Sequence, residues 1–113
     1  MINLLRWFVR IAGLGALLLG LMLSRFPAIR VHMIFGGIVV LVLAILAVWA
    51  LTERVRVPAA IAALFWAAAT IYIGLLQGRG TAGEIVHVLL GIGAIGLAEM
   101  LAGAITRKQA SLA

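Results

Sequence analysis

The sequence predicts an all-α integral membrane protein, a four-helix bundle built from two helical hairpins. Two observations predict this class. Hydrophobic residues make up 66% of the chain and charged residues 11%, with a mean hydropathy of +1.30, which is outside the range of ordinary soluble domains. A helix that crosses a hydrocarbon core about 30 Å thick needs roughly 20 apolar residues, and four such segments account for nearly all of the 113 residues.

The four predicted spans belong to a single transmembrane domain, residues 1–113, and cover about 3–23, 28–51, 57–76 and 82–105. The first span must include Arg10, because the uncharged run from 11 to 23 is too short to cross alone. The uncharged run from 33 to 51 is the clearest spanning signal. Pro58 fits the first turn of the third helix, where its missing N–H costs nothing. The charged N-terminus leads into a long apolar segment without a small-residue cleavage site, so no cleaved signal peptide is expected.

Positive charges at the helix ends predict the orientation. Six lie on the side of both termini and the middle loop, which are Arg6, Arg10, Arg54, Arg56, Arg107 and Lys108. Three lie on the other side, which are Arg25, Arg30 and Arg79. The excess places both termini in the cytoplasm of a cell inner (plasma) membrane. The net charge of +6 is scattered along the chain, so these residues are interpreted as topology signals and headgroup contacts and no nucleic-acid partner is expected.

A weak internal repeat relates positions that are 55 residues apart. Residues 31–36 and 86–91 both read V-H-x-x-x-G. Two helices per half give both halves the same orientation, so the repeat predicts a pseudo-two-fold axis along the membrane normal and parallel second and fourth helices. Chance coincidence in a low-complexity apolar sequence is the alternative.

The two histidines of the chain fall at matching depths in the predicted helices. Thr81 and Glu84 form a capping-box pattern, which makes His87 the sixth residue of the fourth helix. Pro27 fits the first position of the second helix, which makes His32 the sixth residue there. At about 1.5 Å per residue, both imidazoles lie roughly 7–8 Å along their helices.

Ionisable residues inside a span are costly and often mark a functional site. The alternative is that each histidine is an interfacial residue whose ring tip is hydrogen-bonded near the headgroups. The chain has no cysteine, and two neutral imidazoles suit the axial positions of a haem iron, whereas zinc needs further ligands. We therefore expect His32 and His87 to bind the iron of one haem b per chain, between the second and fourth helices.

The surroundings of the histidines suit a flat macrocycle. Four glycines lie within two turns after the histidines and are expected to leave room beside the helices, namely Gly36, Gly37, Gly91 and Gly93. Close helix packing is the alternative role for such small residues. Three arginines on the same side of the membrane are expected to pair with the haem propionates, namely Arg25, Arg30 and Arg79.

With His32, His87 and these small neighbours, the pattern resembles small bacterial membrane-bound b-type cytochromes, in which a four-helix bundle holds haem b between histidines of two helices. The resemblance implies an electron carrier or redox subunit without independent catalytic activity. Its partners would be the bilayer, a quinone and another redox protein. Several such proteins use four histidines for two haems, so two histidines here imply one haem at most.

Other classes remain open at this stage. Size and hydropathy also resemble the small multidrug transporters, but their signature acid in the first helix is absent, since Arg10 is the charged residue there and Glu99 lies in the fourth helix. A non-catalytic subunit of a larger membrane complex is a third class, and it could bind pigment because histidine also ligates chlorophyll magnesium. The sequence does not distinguish a homo-oligomer from such a subunit.

Arg10 and Glu99 are expected to form an ion pair inside the bundle. Each lies about two turns from its own cytoplasmic helix end, and neither has another obvious partner at that depth. The alternative is that Arg10 extends to the headgroups and leaves Glu99 protonated.

Overall fold

A computed structural model describes residues 1–22, 29–76 and 81–112, with the side chains of 19–22, 29, 30, 76, 81 and 84 outside the described part. Four α-helices form in these ranges: α1 (Ile2–Met22), α2 (Ile29–Thr52), α3 (Val57–Leu76) and α4 (Thr81–Leu112). The described residues contain no β-strand. The prediction of an all-α chain with four helices is confirmed.

Helix α4 continues to Leu112, past the predicted end near residue 105. Its last turns are held by Lys108, whose Nζ lies 3.6 Å from Oε2 of Glu53 and also contacts the Glu53 backbone carbonyl. The apolar pattern ends before these turns, so it could not predict a polar extension that packs on the loop after α2. Pro27, and the side chains of the predicted capping box at residues 81 and 84, lie outside the described residues.

Within the described part of the chain, three helical segments are long and apolar enough to cross a membrane, namely Val31–Thr52, Val57–Leu75 and Ile85–Leu112. Large apolar side chains cover their outer faces, as at Leu41 (61% exposed) and Phe65 (74% exposed). Such a surface would be costly in water and is favourable against lipid tails. These features indicate a membrane protein in contact with the bilayer.

Helices α2 and α4 contact each other, and each of them also contacts α1 and α3. Within the described residues α1 and α3 do not contact each other. Alanines dominate the buried faces, namely Ala47, Ala50, Ala60, Ala63, Ala67, Ala94, Ala98 and Ala102. Small side chains let helices approach closely, and close packing drives helix association where lipid removes the hydrophobic driving force.

The loop between α2 and α3 is short because α2 ends in a Schellman motif. The Val55 amide donates to the Ala50 carbonyl at 2.8 Å, and the Arg54 amide donates to the Leu51 carbonyl at 3.1 Å. Arg54 has a φ of 54°, a left-handed conformation in which glycine is the usual residue. The motif satisfies two carbonyls at the end of α2 within the loop itself.

Trp66 fixes the contact between α3 and α4. Its indole Nε1 donates to the Leu90 carbonyl at 2.8 Å, and its ring lies directly against the Cα of Gly93. The expectation that Gly93 leaves room for a ligand is therefore wrong, because an indole from α3 fills that space.

Replacing Gly93 with alanine should lower the melting temperature, because the new methyl group would overlap a ring that is held by its own hydrogen bond. Overpacking of this kind costs about 1–3 kcal/mol. Gly96→Ala is the matched control on the same helix, since its methyl group would meet nothing within 4 Å. Thermal unfolding in detergent micelles measures both variants, and equal melting temperatures would contradict the packing described here.

Candidate functional site

The rings of His32 on α2 and His87 on α4 lie next to each other in a T-shaped arrangement. Their centroids lie 6.0 Å apart and their planes are inclined by 69°. The contact between α2 and α4 creates this pair, because two residues 55 positions apart in sequence meet here only through helix packing. The structure therefore brings together the two residues that the sequence singled out as metal ligands.

His32 is oriented by the backbone of α1. Its Nδ1 lies 2.8 Å from the carbonyl oxygen of Ala16. A carbonyl can only accept, so the proton of a neutral ring must sit on Nδ1 and leave the lone pair on Nε2. Metal-binding histidines characteristically donate their second ring nitrogen to a backbone carbonyl in this way.

His87 rests against the backbone of α3. A Cβ added to Gly74 would lie 2.7 Å from Cε1 of His87 and 3.2 Å from its Nδ1, so only glycine permits this approach. The Nδ1 atom is buried and has no hydrogen-bond partner in the described part of the chain. A buried polar atom without a partner costs free energy, and native proteins rarely retain one without a reason.

Two glycines with open space beside them lie one helical turn beyond the histidines. Gly36 follows His32 by four residues, Gly91 follows His87 by four residues, and each therefore lies on the same helix face as its histidine. A Cβ added at either glycine would meet nothing within 4 Å. The neighbouring Gly37 is also open, but it lies on the exposed side of α2. The side chains of Arg25, Arg30 and Arg79 lie outside the described residues.

The histidine pair offers two nitrogen ligands to a metal ion. No group of three or more potential metal-ligating side chains occurs among the described residues. The two rings lie close enough to contribute to one site. The Cε1, Nδ1 and Nε2 atoms of His87 lie 2.7, 3.2 and 3.4 Å from the position of a Cβ on Gly74, so this edge of the ring is against α3.

A charged cluster lies between α1 and α4, towards the other end of the helices. The Glu99 carboxylate accepts from Arg10 at 2.7 and 3.2 Å, and from Arg6 at 2.9 and 3.0 Å. The predicted pair of Arg10 and Glu99 is confirmed, but it lies at the outer surface of the α1–α4 contact and not inside the bundle, since the Arg10 side chain is 48% exposed. The second partner, Arg6, was missed, although its spacing of four residues from Arg10 places both on one face of α1.

Comparison with known protein families, with curated proteins and with solved structures yields no match. The functional interpretation therefore rests on the residues and their geometry. The histidine pair is the part of that geometry with recognisable chemistry.

The three-residue cluster predicts unequal effects of its single substitutions. Glu99→Leu should lower the melting temperature more than Arg10→Leu, because losing the carboxylate leaves two guanidinium groups facing each other, whereas losing Arg10 leaves Glu99 paired with Arg6. The double variant of Arg10 and Glu99 should lower the melting temperature by less than the sum of the two single decreases. Thermal unfolding in micelles measures the cycle, with Arg56→Leu as a control in the exposed loop. Additive effects would argue against coupling.

Proposed function

We propose that this protein is a membrane electron-transfer protein that binds one haem b per chain, with His32 and His87 as the two axial ligands. The observation that carries the proposal is the pair of adjacent imidazoles, one on α2 and one on α4, at a centroid distance of 6.0 Å. Haem iron with two imidazole ligands exchanges single electrons and has no open position for oxygen. A quinone and another redox protein are the proposed electron partners.

The ring orientations support this assignment. Ala16 holds the proton of His32 on Nδ1 and leaves Nε2 free to bind. Gly74 lets His87 lie against α3, and the buried Nδ1 of that ring lacks a partner that a ligand or its surroundings would provide. These contacts hold both rings before any cofactor arrives, which lowers the entropy cost of binding.

The space beside Gly36 and Gly91 is where a macrocycle would meet the helices. Both glycines are partly buried, and a Cβ at either would meet nothing within 4 Å. Each glycine lies on the same helix face as the histidine four residues before it. Arg25, Arg30 and Arg79 are proposed to pair with the propionates, because they fall on the same side of the membrane as the histidines in the sequence.

The arrangement of contacts also supports a four-helix bundle with pseudo-two-fold symmetry, in which α1 is the fourth span. His32 on α2 touches the backbone of α1, whereas His87 on α4 touches the backbone of α3. A two-fold axis that exchanges the hairpins would relate these two contacts. The parallel central helices that such symmetry requires would hold both rings at one depth.

A small transporter is the alternative function, and the Glu99 contacts weigh against it. A cation that used this carboxylate would have to displace both Arg6 and Arg10. A non-catalytic, pigment-binding subunit of a larger complex would use the same histidine pair, and the absorption spectrum distinguishes it from a cytochrome. Size measurements in detergent would distinguish a homo-oligomer from a subunit of a larger complex.

Protein purified from haem-replete cells should show a low-spin b-type difference spectrum, reduced minus oxidised, with close to one haem per chain. His32→Ala and His87→Ala should each lose the haem or convert it to high spin, because each removes one axial ligand. A colourless protein that takes up no added haem would refute the proposal. A chlorophyll-type spectrum would assign the pair to pigment binding.

The open glycines provide a test that leaves both ligands in place. Gly36→Leu should reduce haem content severely, because the new side chain would fill the open space at Gly36, one turn beyond His32, where the macrocycle is proposed to lie. Gly37→Leu is the matched control, since the next residue faces outward on α2 and should retain normal haem content. Absorbance per mole of protein measures both variants, and equal loss would show that the effect is not specific to the site.

The proposed topology places both termini in the cytoplasm, with the connections at 24–30 and 78–84 on the opposite side. The excess of positive residues near the termini and the middle loop supports it. An export-dependent reporter should be inactive when fused at Ala113 or within 53–56. The same reporter fused within 77–80 should be active, which provides the positive control. Activity at Ala113 would reverse the orientation.

A further inference from the structure

The charged cluster between α1 and α4 carries more positive charge than its own residues neutralise. Arg6 and Arg10 share the single carboxylate of Glu99. Arg107 lies two turns beyond Glu99 on α4, where its Nη1 lies 3.4 Å from the position of a Cβ on Gly103, and residues 99, 103 and 107 share one face of the helix. Arg107 is exposed and forms no ion pair with a described residue. Arg6, Arg10 and Arg107 carry three positive charges against the one carboxylate of Glu99, which leaves an excess of two.

The other acidic residues do not remove this excess. Glu53 pairs with Lys108 at 3.6 Å. Glu84 lies fifteen residues before Glu99 on the same helix, about 22 Å along its axis. The three arginines therefore keep unused donors where an anionic group could approach from outside.

An apolar track begins beside the cluster. The guanidinium of Arg10 lies over the ring of Trp7 at 5.5 Å, and that indole is 58% exposed. Further along the same face of α1 the exposed side chains are all aliphatic, namely Ile11, Leu14 and Leu18. An exposed tryptophan between charged and apolar surfaces is typical of the membrane interface.

We propose that Arg6, Arg10 and Arg107 form a binding site for the phosphate headgroup of an anionic phospholipid, with one acyl chain lying along the α1 track. Guanidinium groups bind phosphate oxygens through paired, charge-assisted hydrogen bonds. Glu99 positions Arg6 and Arg10 and offsets one of the three positive charges. The remaining positive charge attracts an anion. The site is separate from the histidine pair and does not depend on haem.

A phospholipid fits these features better than free phosphate does. Inorganic phosphate would use the guanidinium donors but would gain nothing from the aliphatic track next to them. A zwitterionic phospholipid would use the track, but its cationic headgroup would meet the excess positive charge. Both parts of the surface are used together only by a lipid with net negative charge.

Native mass spectrometry of the full chain in detergent, titrated with phosphatidylglycerol or phosphatidylcholine, tests the site. Each arginine near an anionic lipid contributes about a fivefold increase in affinity, so the first phosphatidylglycerol should bind at least several-fold more tightly than phosphatidylcholine. Arg107→Gln should weaken that preference about fivefold, and Arg107→Lys, which keeps the charge, should largely preserve it. Arg54→Gln removes the same charge from the loop and should leave the preference unchanged.

Three outcomes would overturn the proposal. The first is equal affinity for the two lipids in the unmodified protein, which needs no variant and so does not depend on a variant's folding. The second is equal weakening by Arg107→Gln and Arg54→Gln, which would indicate attraction to net charge alone. The third is full displacement of phosphatidylglycerol by inorganic phosphate at matched ionic strength, which would assign the arginines to a free anion.

Discussion

Small residues let α2 and α4 pack against each other and against both outer helices. The contacts between the helices in turn bring together the histidine pair, the Trp66 hydrogen bond and the Glu99 cluster. Lipid supplies no hydrophobic driving force between helices, so close packing has to hold them together. Alanines such as Ala47 and Ala98 are completely or almost completely buried in the shared core. With larger residues there, the central helices would separate, and the two histidine rings would no longer meet.

Polar groups within the helices are satisfied by the backbone of a neighbour or by a charge of opposite sign. His32 bonds to Ala16, Trp66 bonds to Leu90, and Glu99 bonds to two arginines. Among the buried side-chain polar atoms of the described residues, Nδ1 of His87 is the one without a partner. A polar group without a hydrogen-bond partner inside a membrane helix costs free energy, and this cost distinguishes His87 from the other polar groups.

Much of the fold could be predicted from the sequence, because apolar stretches of about 20 residues leave few alternatives to membrane helices. The two histidines and the Arg10–Glu99 pair could be found because charged or ionisable residues are rare in such stretches. Contacts that depend on how each helix is rotated about its own axis could not be predicted. The indole against Gly93, the approach of Gly74 to His87 and the second arginine on Glu99 depend on which faces meet, and nearly uniform apolar helices carry little amphipathic signal to specify this.

The Schellman turn at Arg54 has a consequence for how the chain enters the membrane. Only residues 53–56 separate α2 from α3, so the two helices must run in opposite directions across the bilayer. A connection this short favours their insertion together as one hairpin. The three charged residues at the tip, Glu53, Arg54 and Arg56, resist passage through the hydrocarbon, so the hairpin is retained on the side from which it entered.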